Sequence, residues 1–545
     1  MEPTDHATEA DPLKREEDGV EGGGTAPPAQ TKKKSLGLAK LSHWRTAAFF
    51  LSLFLCLIIV FAFSFIIPCP VRPQYLTFWN RTFPQAATYD FLAIEDASKD
   101  KVMDVLFVLK AQEGSQNVSC FAEGLDTPCV FVSAVAGTNG ETLWERPLAP
   151  EFHWAQCGLD GLGETERGCL LSHSNQLTAI NKYTGVVTWA RLQPPNLRST
   201  LPVLSVSDLD GDGVSDVALV APSPTQTQLA ILSGKTGVQI GSEVVLDTAE
   251  CTMHLLHATG KGSNYVLLQK DSGLYGLALW RIAAQAKAGM EKGLKKDKHW
   301  ERKANDSSGL VSIYESGTLR YVLRTGKAEG PSNLLLVTGG SVVLIDGDSL
   351  NLLWRVNTST VLSEPSFGHF NKDGTLDIVI EEDIGNRIKR VVILDGNTGG
   401  TVWEVNLLAS PNSPMPASVN TINSFSVFMF WGLMPSEANA TRDLSEERRS
   451  YMLYPHYSSV LLEKSNVMDH IIAFKATLLE RGRHACYIML TGPEGEGAEG
   501  TVDLSKRKLK QDVTDSRVLR LGSISSKDTN EDIKEAFQRL RFSDE

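Results

Sequence analysis

Two patterns of apolar residues divide this chain. The first is a single run without a charge, Ala47 to Ile67 (AAFFLSLFLCLIIVFAFSFII). At 1.5 Å per residue, a helix of about 21 residues covers roughly 31 Å, the thickness of a bilayer's hydrocarbon core. No polar face interrupts the run, so a membrane-spanning helix is expected rather than a buried core helix. The second pattern extends from about Tyr75 to Pro493. It is a succession of short β-type runs separated by turn residues, such as Val105–Leu109, Val217–Val220, Leu334–Val337 and Val391–Leu394. Many short strands at regular spacing predict an all-β, closed or radial architecture.

A unit recurs within the second pattern. Ala134–Trp144 (AVAGTNGETLW), Ala179–Trp189 (AINKYTGVVTW), Val343–Trp354 (VLIDGDSLNLLW) and Val392–Trp403 (VILDGNTGGTVW) each run strand, polar turn, strand, tryptophan. Ala230–Gly237 repeats the first half without the tryptophan. Glycine permits the positive φ of a tight hairpin, and tryptophan can fill the space between neighbouring sheets. A spacing of about 50 residues is the length of a propeller blade. The expected fold is therefore an all-β extracellular propeller of seven or eight blades on a single transmembrane helix. The turns resemble those of quinoprotein propellers.

Five segments follow: a disordered cytoplasmic tail (1–46), a transmembrane signal anchor (47–67), a juxtamembrane linker (68–74), the propeller ectodomain (75–494) and a polar C-terminal tail (495–545). In the last, Ile533, Ala536, Phe537 and Leu540 have the spacing of a short amphipathic helix.

Charge and chemistry give the orientation. Lys32, Lys33, Lys34, Lys40 and Arg45 crowd the N-terminal flank of the apolar run, and Arg72 alone stands close to the other end. The positive-inside rule places the N-terminus in the cytoplasm, a type II topology. The segment before the run is too long for a cleaved signal peptide, and Pro68-Cys69-Pro70 is not a cleavage site. The acceptor triplets at Asn80, Asn117, Asn305, Asn357 and Asn439 all follow the run.

Cysteine use fits an oxidising compartment. Cys120/Cys129 and Cys157/Cys169 are spaced as hairpin staples, Cys251/Cys486 would form a long-range bridge, and Cys69 is left over for a link between two chains. Cys56 reads as apolar filler within the membrane run.

The most specific local motif is Ser205–Leu219 (SVSDLDGDGVSDVAL). Asp208, Asp210, Asp212 and Asp216 occupy positions 1, 3, 5 and 9 of a loop, where carboxylates converge on one hard cation, and Gly213 makes the sharp turn. An EF-hand would need flanking helices and a bidentate Glu at position 12; here strand-like runs flank the loop and Leu219 stands there. A structural Ca²⁺ held by a β-hairpin is the expectation.

A weaker copy contains Asn371, Asp373 and Asp377, with His369 in the first position, and is expected to bind weakly. A weaker one still, Asp96–Asp104, has Ser98 in place of an acid and Lys101 in place of glycine. It is expected to hold hardly any metal. At these residues the chain resembles the FG-GAP repeats of integrin α-subunit propellers. Along its full length it is similar to the type II membrane family of integrin-α FG-GAP repeat-containing proteins, in particular its A-type branch. The resemblance implies a seven- or eight-bladed propeller at the cell surface and supplies no chemistry.

Gly234-Lys235-Thr236 lacks the leading glycine of a phosphate loop, since Leu229 stands there, and G-x-S-x-G, H-E-x-x-H and C-x-x-C are absent. No acid or cysteine around His254 and His257 completes a metal set, and they read as surface or core histidines. A net charge of −12 argues against nucleic acid. The resulting expectation is a non-enzymatic plasma-membrane glycoprotein whose calcium-braced propeller binds a protein or membrane partner. The alternative is a scaffold or folding accessory of the secretory pathway, followed by an enzyme.

Overall fold

The computed structural model describes residues 43–66, 75–114, 118–164, 167–193, 199–246, 251, 253–326, 332–409, 413–435, 448–466, 470–480, 483–495, 497–522 and 528–543. Expectations for most of the cytoplasmic tail, the linker with Cys69, and the triplets at Asn117 and Asn439 lie outside them. The chain separates into two compact units, 1–72 and 73–545. In the first, helix α1 (His43–Ile66) contains a stretch, Trp44–Ala62, long and apolar enough to cross a membrane, which fits a single-pass protein.

The second unit is an eight-bladed propeller. Six antiparallel sheets of four or five strands and one of seven make it up. Strand Phe78–Glu95 divides the seven-stranded sheet: its first part pairs with Gly500–Lys508 and its second, after a break in register beyond Phe83, with Asp104–Ala111. Blade 1 is thus 87–95, Asp104–Ala111, Cys129–Val135 and Thr142–Leu148. Blades 2 to 7 follow in chain order, beginning at Phe152, Thr200, His254, Leu319, Thr360 and Ala417. Blade 8 is His470–Glu480, His484–Gly492, Gly500–Lys508 and 78–86. N-terminal and C-terminal strands therefore close the ring within one sheet.

Burial follows the strand's place in its blade. Middle strands are covered on both faces by neighbouring blades, and every residue of Cys129–Val135 is buried. Outer strands are open: in Val187–Leu192 only Trp189 is buried, and in Leu352–Asn357 only Trp354. Each of the eight main hydrophobic clusters lies between consecutive blades, including blades 8 and 1. The core is a ring of interfaces, so each blade is stable only through its neighbours.

The recurrent tryptophans build these interfaces. Trp144, Trp189 and Trp354 donate Nε1–H to Lys182, Gly234 and Gly396 carbonyls of the following blade at 2.9, 3.0 and 2.9 Å. The turn glycine of that following blade lies under the ring. A Cβ on Gly185 would stand 2.4 Å from the Trp144 ring and one on Gly237 2.4 Å from Trp189, and both glycines have positive φ. Trp79 docks the same way on blade 1, donating to Gly137 at 3.2 Å, and Trp403 on Ser458 of blade 7 at 2.8 Å. In blade 4 a helix supplies the ring: Trp300 of α3 (Lys298–Lys303) donates to Asp348 at 3.0 Å. α2 (Leu279–Ala286) fills the junction of blades 3 and 4, where no such tryptophan docks among the described residues.

Two expectations are corrected. Residues beyond 495 are not a polar tail: Gly500–Lys508 is an interior strand of blade 8, Arg517–Arg520 pairs with blade 7, and α4 (Leu509–Asp515) and α5 (Asn530–Arg539) complete the cluster between blades 7 and 8. Their charges misled because strand charges can turn outward or be satisfied inside. Lys506 is fully buried and donates to the Gly137 carbonyl at 2.7 Å. Nor does a disulfide join Cys251 to Cys486. The two lie in different clusters, one between blades 3 and 4 and the other between blades 8 and 1. Cys120–Cys129 and Cys157–Cys169 are bridged.

Candidate functional site

Three blades carry an acidic loop between their first and second strands, and all three are built on one backbone device. The last Asp of each loop is fully or almost fully buried and accepts N–H groups from its own loop and from the next hairpin. Asp104 accepts from Ala97 at 2.9 Å and Gly137 at 3.0 Å; Asp216 from Leu209 at 2.7 Å and Gly234 at 3.1 Å; Asp377 from Phe370 at 2.7 Å and Gly396 at 3.1 Å. A backbone N–H left unpaired in the interior is costly, so one carboxylate ties two turns together. Burial pushes all three carboxyls up, that of Asp216 to about 6, with the charges of Asp210 and Asp208 adding to the effect.

In blade 3, Asp208, Asp210 and Asp212 each turn a carboxylate oxygen into one small volume, within 4.8 Å of one another. Asp208 accepts N–H from Gly211 at 2.7 Å and Gly213 at 2.8 Å, and both glycines have positive φ. Burial acts against its charge, but these N–H groups, with those of Asp212 and Asp210, outweigh it and hold the carboxyl below the ordinary range. Ser233 of the next hairpin donates to Asp212 at 3.2 Å. Asp216 lies outside this trio and accepts the Leu209 and Gly234 N–H groups. The three carboxylates form an oxygen-rich, exposed cup suited to a hard cation of flexible coordination.

In blade 6 the trio is Asp373, Asp377 and Asp395, again within 4.8 Å. Asn371 takes part as a donor, from Nδ2 to Asp395 at 2.8 Å, and Asn397 likewise bonds Asp373 at 2.8 Å. Asp395 lies in the repeated turn, where sequence reading assigned it only to the hairpin. Its signal was the shared position of Asp395 and Ser233, directly before Gly396 and Gly234, the first glycines of the two turns. His369, in place of the first acid, bonds the Thr375 carbonyl at 3.0 Å. In blade 1, Asp96 accepts from Lys99 at 2.8 Å and Lys101 at 3.1 Å, and no carboxylate trio forms among the described residues.

The inner strands line an open cavity of about 1000 Å³, with Asp90, Glu95, Glu364 and Lys475 among its wall residues. Glu95 pairs with Lys182 at 3.1 Å. Burial raises the Glu364 carboxyl and lowers the Lys475 ammonium, the latter against the opposing pull of Asp90 and Glu95. Asn80, Asn305 and Asn357 are exposed on the propeller surface. His254 and His257, left open in the sequence as surface or core, are core residues.

A family profile described as "FAM234A/B beta-propeller" matches residues 79–543. The chain belongs to this family. It is similar to Protein FAM234A of Rattus norvegicus, at 37% identity over 556 residues with both chains fully covered. Protein FAM234A of Homo sapiens is 37% identical, covering 93% of this chain and 92% of the relative. Protein FAM234B of Gallus gallus is 30% identical, covering 92% of this chain and 84% of the relative. Among solved structures, the WD40 domain of SCAP from fission yeast aligns with a TM-score of 0.43 at 12% identity, covering 78% of this chain and 98% of that one. The quinohemoprotein alcohol dehydrogenase ADHIIG from Pseudomonas putida HK5 aligns with a TM-score of 0.39 at 9% identity, covering 82% of this chain and 78% of that one.

Proposed function

We propose that this chain is a single-pass type II glycoprotein of the cell surface whose propeller, braced by calcium in blade 3, binds a protein partner and catalyses no reaction. The observation that carries the reading is the convergence of Asp208, Asp210 and Asp212 in a loop that also ties two hairpins of one blade together. Three like charges at this separation repel in the absence of a cation, and a bound Ca²⁺ removes that cost. The likeness of the loop to FG-GAP repeats supports the same assignment. The blade 6 trio is a weaker site, because Asn371 and Asn397 already bond two of its carboxylates.

Orientation is supported by three exposed acceptor asparagines and two disulfides on the propeller, both characteristic of the lumenal side. A non-catalytic role is supported by the histidines: His173 is bonded to Thr178, and His254, His257 and His299 to backbone carbonyls. The test is capture of surface proteins by the full-length chain in calcium and in chelator, with endoglycosidase H digestion of its glycans. Calcium-dependent capture of one partner by a resistant glycoform supports the reading. Wholly sensitive glycans would move the protein to a scaffold of the early secretory pathway.

A further inference from the structure

Blade 4 is held in the ring without a strand tryptophan, and beside the packing of α2 and Trp300 two histidines bond it to its neighbours. His254 and His257 lie three apart on strand His254–Ala258, so they point to opposite faces of the sheet and toward the two neighbouring blades. His254 bonds the Pro202 carbonyl of blade 3 through Nε2 at 2.8 Å. His257 bonds the Gly347 carbonyl of blade 5 through Nε2, also at 2.8 Å. A carbonyl accepts only, so both rings carry their proton on Nε2 and leave Nδ1 as a lone pair. Both Nδ1 atoms are buried and have no hydrogen-bond partner.

The surroundings offer little for a second proton. The blade 3 strand Thr200–Val206 has no ionisable side chain. Arg320 and Glu364 line the same cavity wall as His254. Around His257, Arg324 opposes a second proton and Asp348 favours it. Asp348 already accepts from Gly260, and His299 and Lys303 both bond the nearby Ser349 carbonyl. The His257 ring stacks on Trp300 at 5.5 Å, and Glu301 accepts from Arg281 and from the hydroxyl of Tyr265, whose ring packs on Trp300. Lys261 pairs with Asp297 beyond the strand end. Burial lowers both imidazoles, despite the carbonyl each one bonds.

We infer that blade 4 is a pH-sensitive segment of the ring, released from blades 3 and 5 on acidification while the blades docked by strand tryptophans stay closed. A protonated ring would place an N–H and a full charge against apolar packing with no acceptor, so the proton enters only when the junction opens. His173 offers a contrast: burial, aided by His153, lowers it to about 4, yet its bond to Thr178 stays within blade 2 and closes no junction.

The sign follows from linkage. A depressed histidine gives stability that is complete above its unfolded value and is lost as pH falls below about 6.5. If each ring binds its proton only in the open state, moving from pH 7.5 to 5.5 raises opening about tenfold per histidine, and about a hundredfold when both act together.

Hydrogen–deuterium exchange on the full-length protein, corrected for intrinsic pH effects and run in saturating calcium, reads this directly. Amides of 254–270 should lose protection by one to two orders of magnitude at pH 5.5, while those of 388–394 in blade 6 change little. His254→Gln and His257→Gln keep a donor for each carbonyl and should each remove about tenfold of the response. Equal responses in 254–270 and 388–394, or a response that survives the double substitution, would overturn the inference. Should the variants not fold, the comparison of the two segments in the native protein decides alone.

Discussion

The acidic loops of blades 3 and 1 share a backbone and differ in chemistry. In blade 3 the first Asp receives N–H groups from positions 4 and 6, both glycines at positive φ, Gly211 at +82° and Gly213 at +85°. In blade 1 the same bonds come from Lys99 and Lys101, at +64° and +65°, a region that side chains rarely adopt. Both loops end on a buried Asp bonded to their own turn and to the following Gly. Loop shape is thus imposed by the terminal Asp and the ladder on either side, and the converging carboxylates are a separate layer, present where glycines and acids remain. Blade 6 stands between, with one glycine, Gly374 at +82°, and a trio completed from another hairpin.

The largest expected effect tests whether the terminal Asp does the same work in blades 1 and 3. Asp104→Ala and Asp216→Ala should each cost about 2–4 kcal/mol by leaving two buried N–H groups unpaired, read by chemical denaturation in chelator. A loss confined to Asp216 would break the comparison.

Next comes the metal. Calcium at a hundred times its dissociation constant should stabilise the native protein by about 2.7 kcal/mol. Asp208→Asn should abolish most of this shift in melting temperature, and Asp96→Asn should leave it unchanged.

The third effect is the pH dependence of the calcium-free protein. Because the Asp216 carboxyl is raised from 3.8 to about 6, it gives stability that is present below pH 3.8 and lost as pH rises through 6. Asp216→Asn should flatten this segment of a stability profile relative to the native chain.

The smallest effect is backbone strain. Gly213→Ala, whose Cβ meets nothing within 4 Å, should cost about 1 kcal/mol through φ alone. Lys101→Gly in blade 1 should gain up to about 1 kcal/mol. Thermal melts of the two variants should therefore move in opposite directions.

Much of this was legible because blades 1, 2, 3, 5 and 6 repeat one hairpin in sequence. The strand–turn–strand pattern, the glycine and the tryptophan announced both fold class and mode of packing. Blades 4, 7 and 8 were not legible in this way. Trp300 sits on a helix outside the repeat, and the strand Gly500–Lys508 reads as charged because Lys506 finds its acceptor, Gly137, 369 residues away. Of the blade 3 site, the three acids that converge were evident from their alternate spacing. Spacing placed Asp216 as a fourth ligand, and what spacing does not show is that this carboxyl also ties the loop to the Gly234 hairpin through backbone N–H groups. Asp395 and the roles of His254 and His257 depend on neighbours distant in the chain.

By itself, then, the sequence determined what is local: an apolar helix of membrane length, the hairpin repeat, two cysteine pairs at hairpin spacing and the acids of one loop. Each is a matter of spacing within a few residues, where strand and turn geometry leave few alternatives. The tertiary structure alone decided the count of eight blades, the closure of the ring by strand 78–95, the separation of Cys251 from Cys486, and which histidines bridge blades. Those are contacts between residues far apart in sequence, and they are fixed only when every blade has a neighbour on both faces to bury its apolar surface.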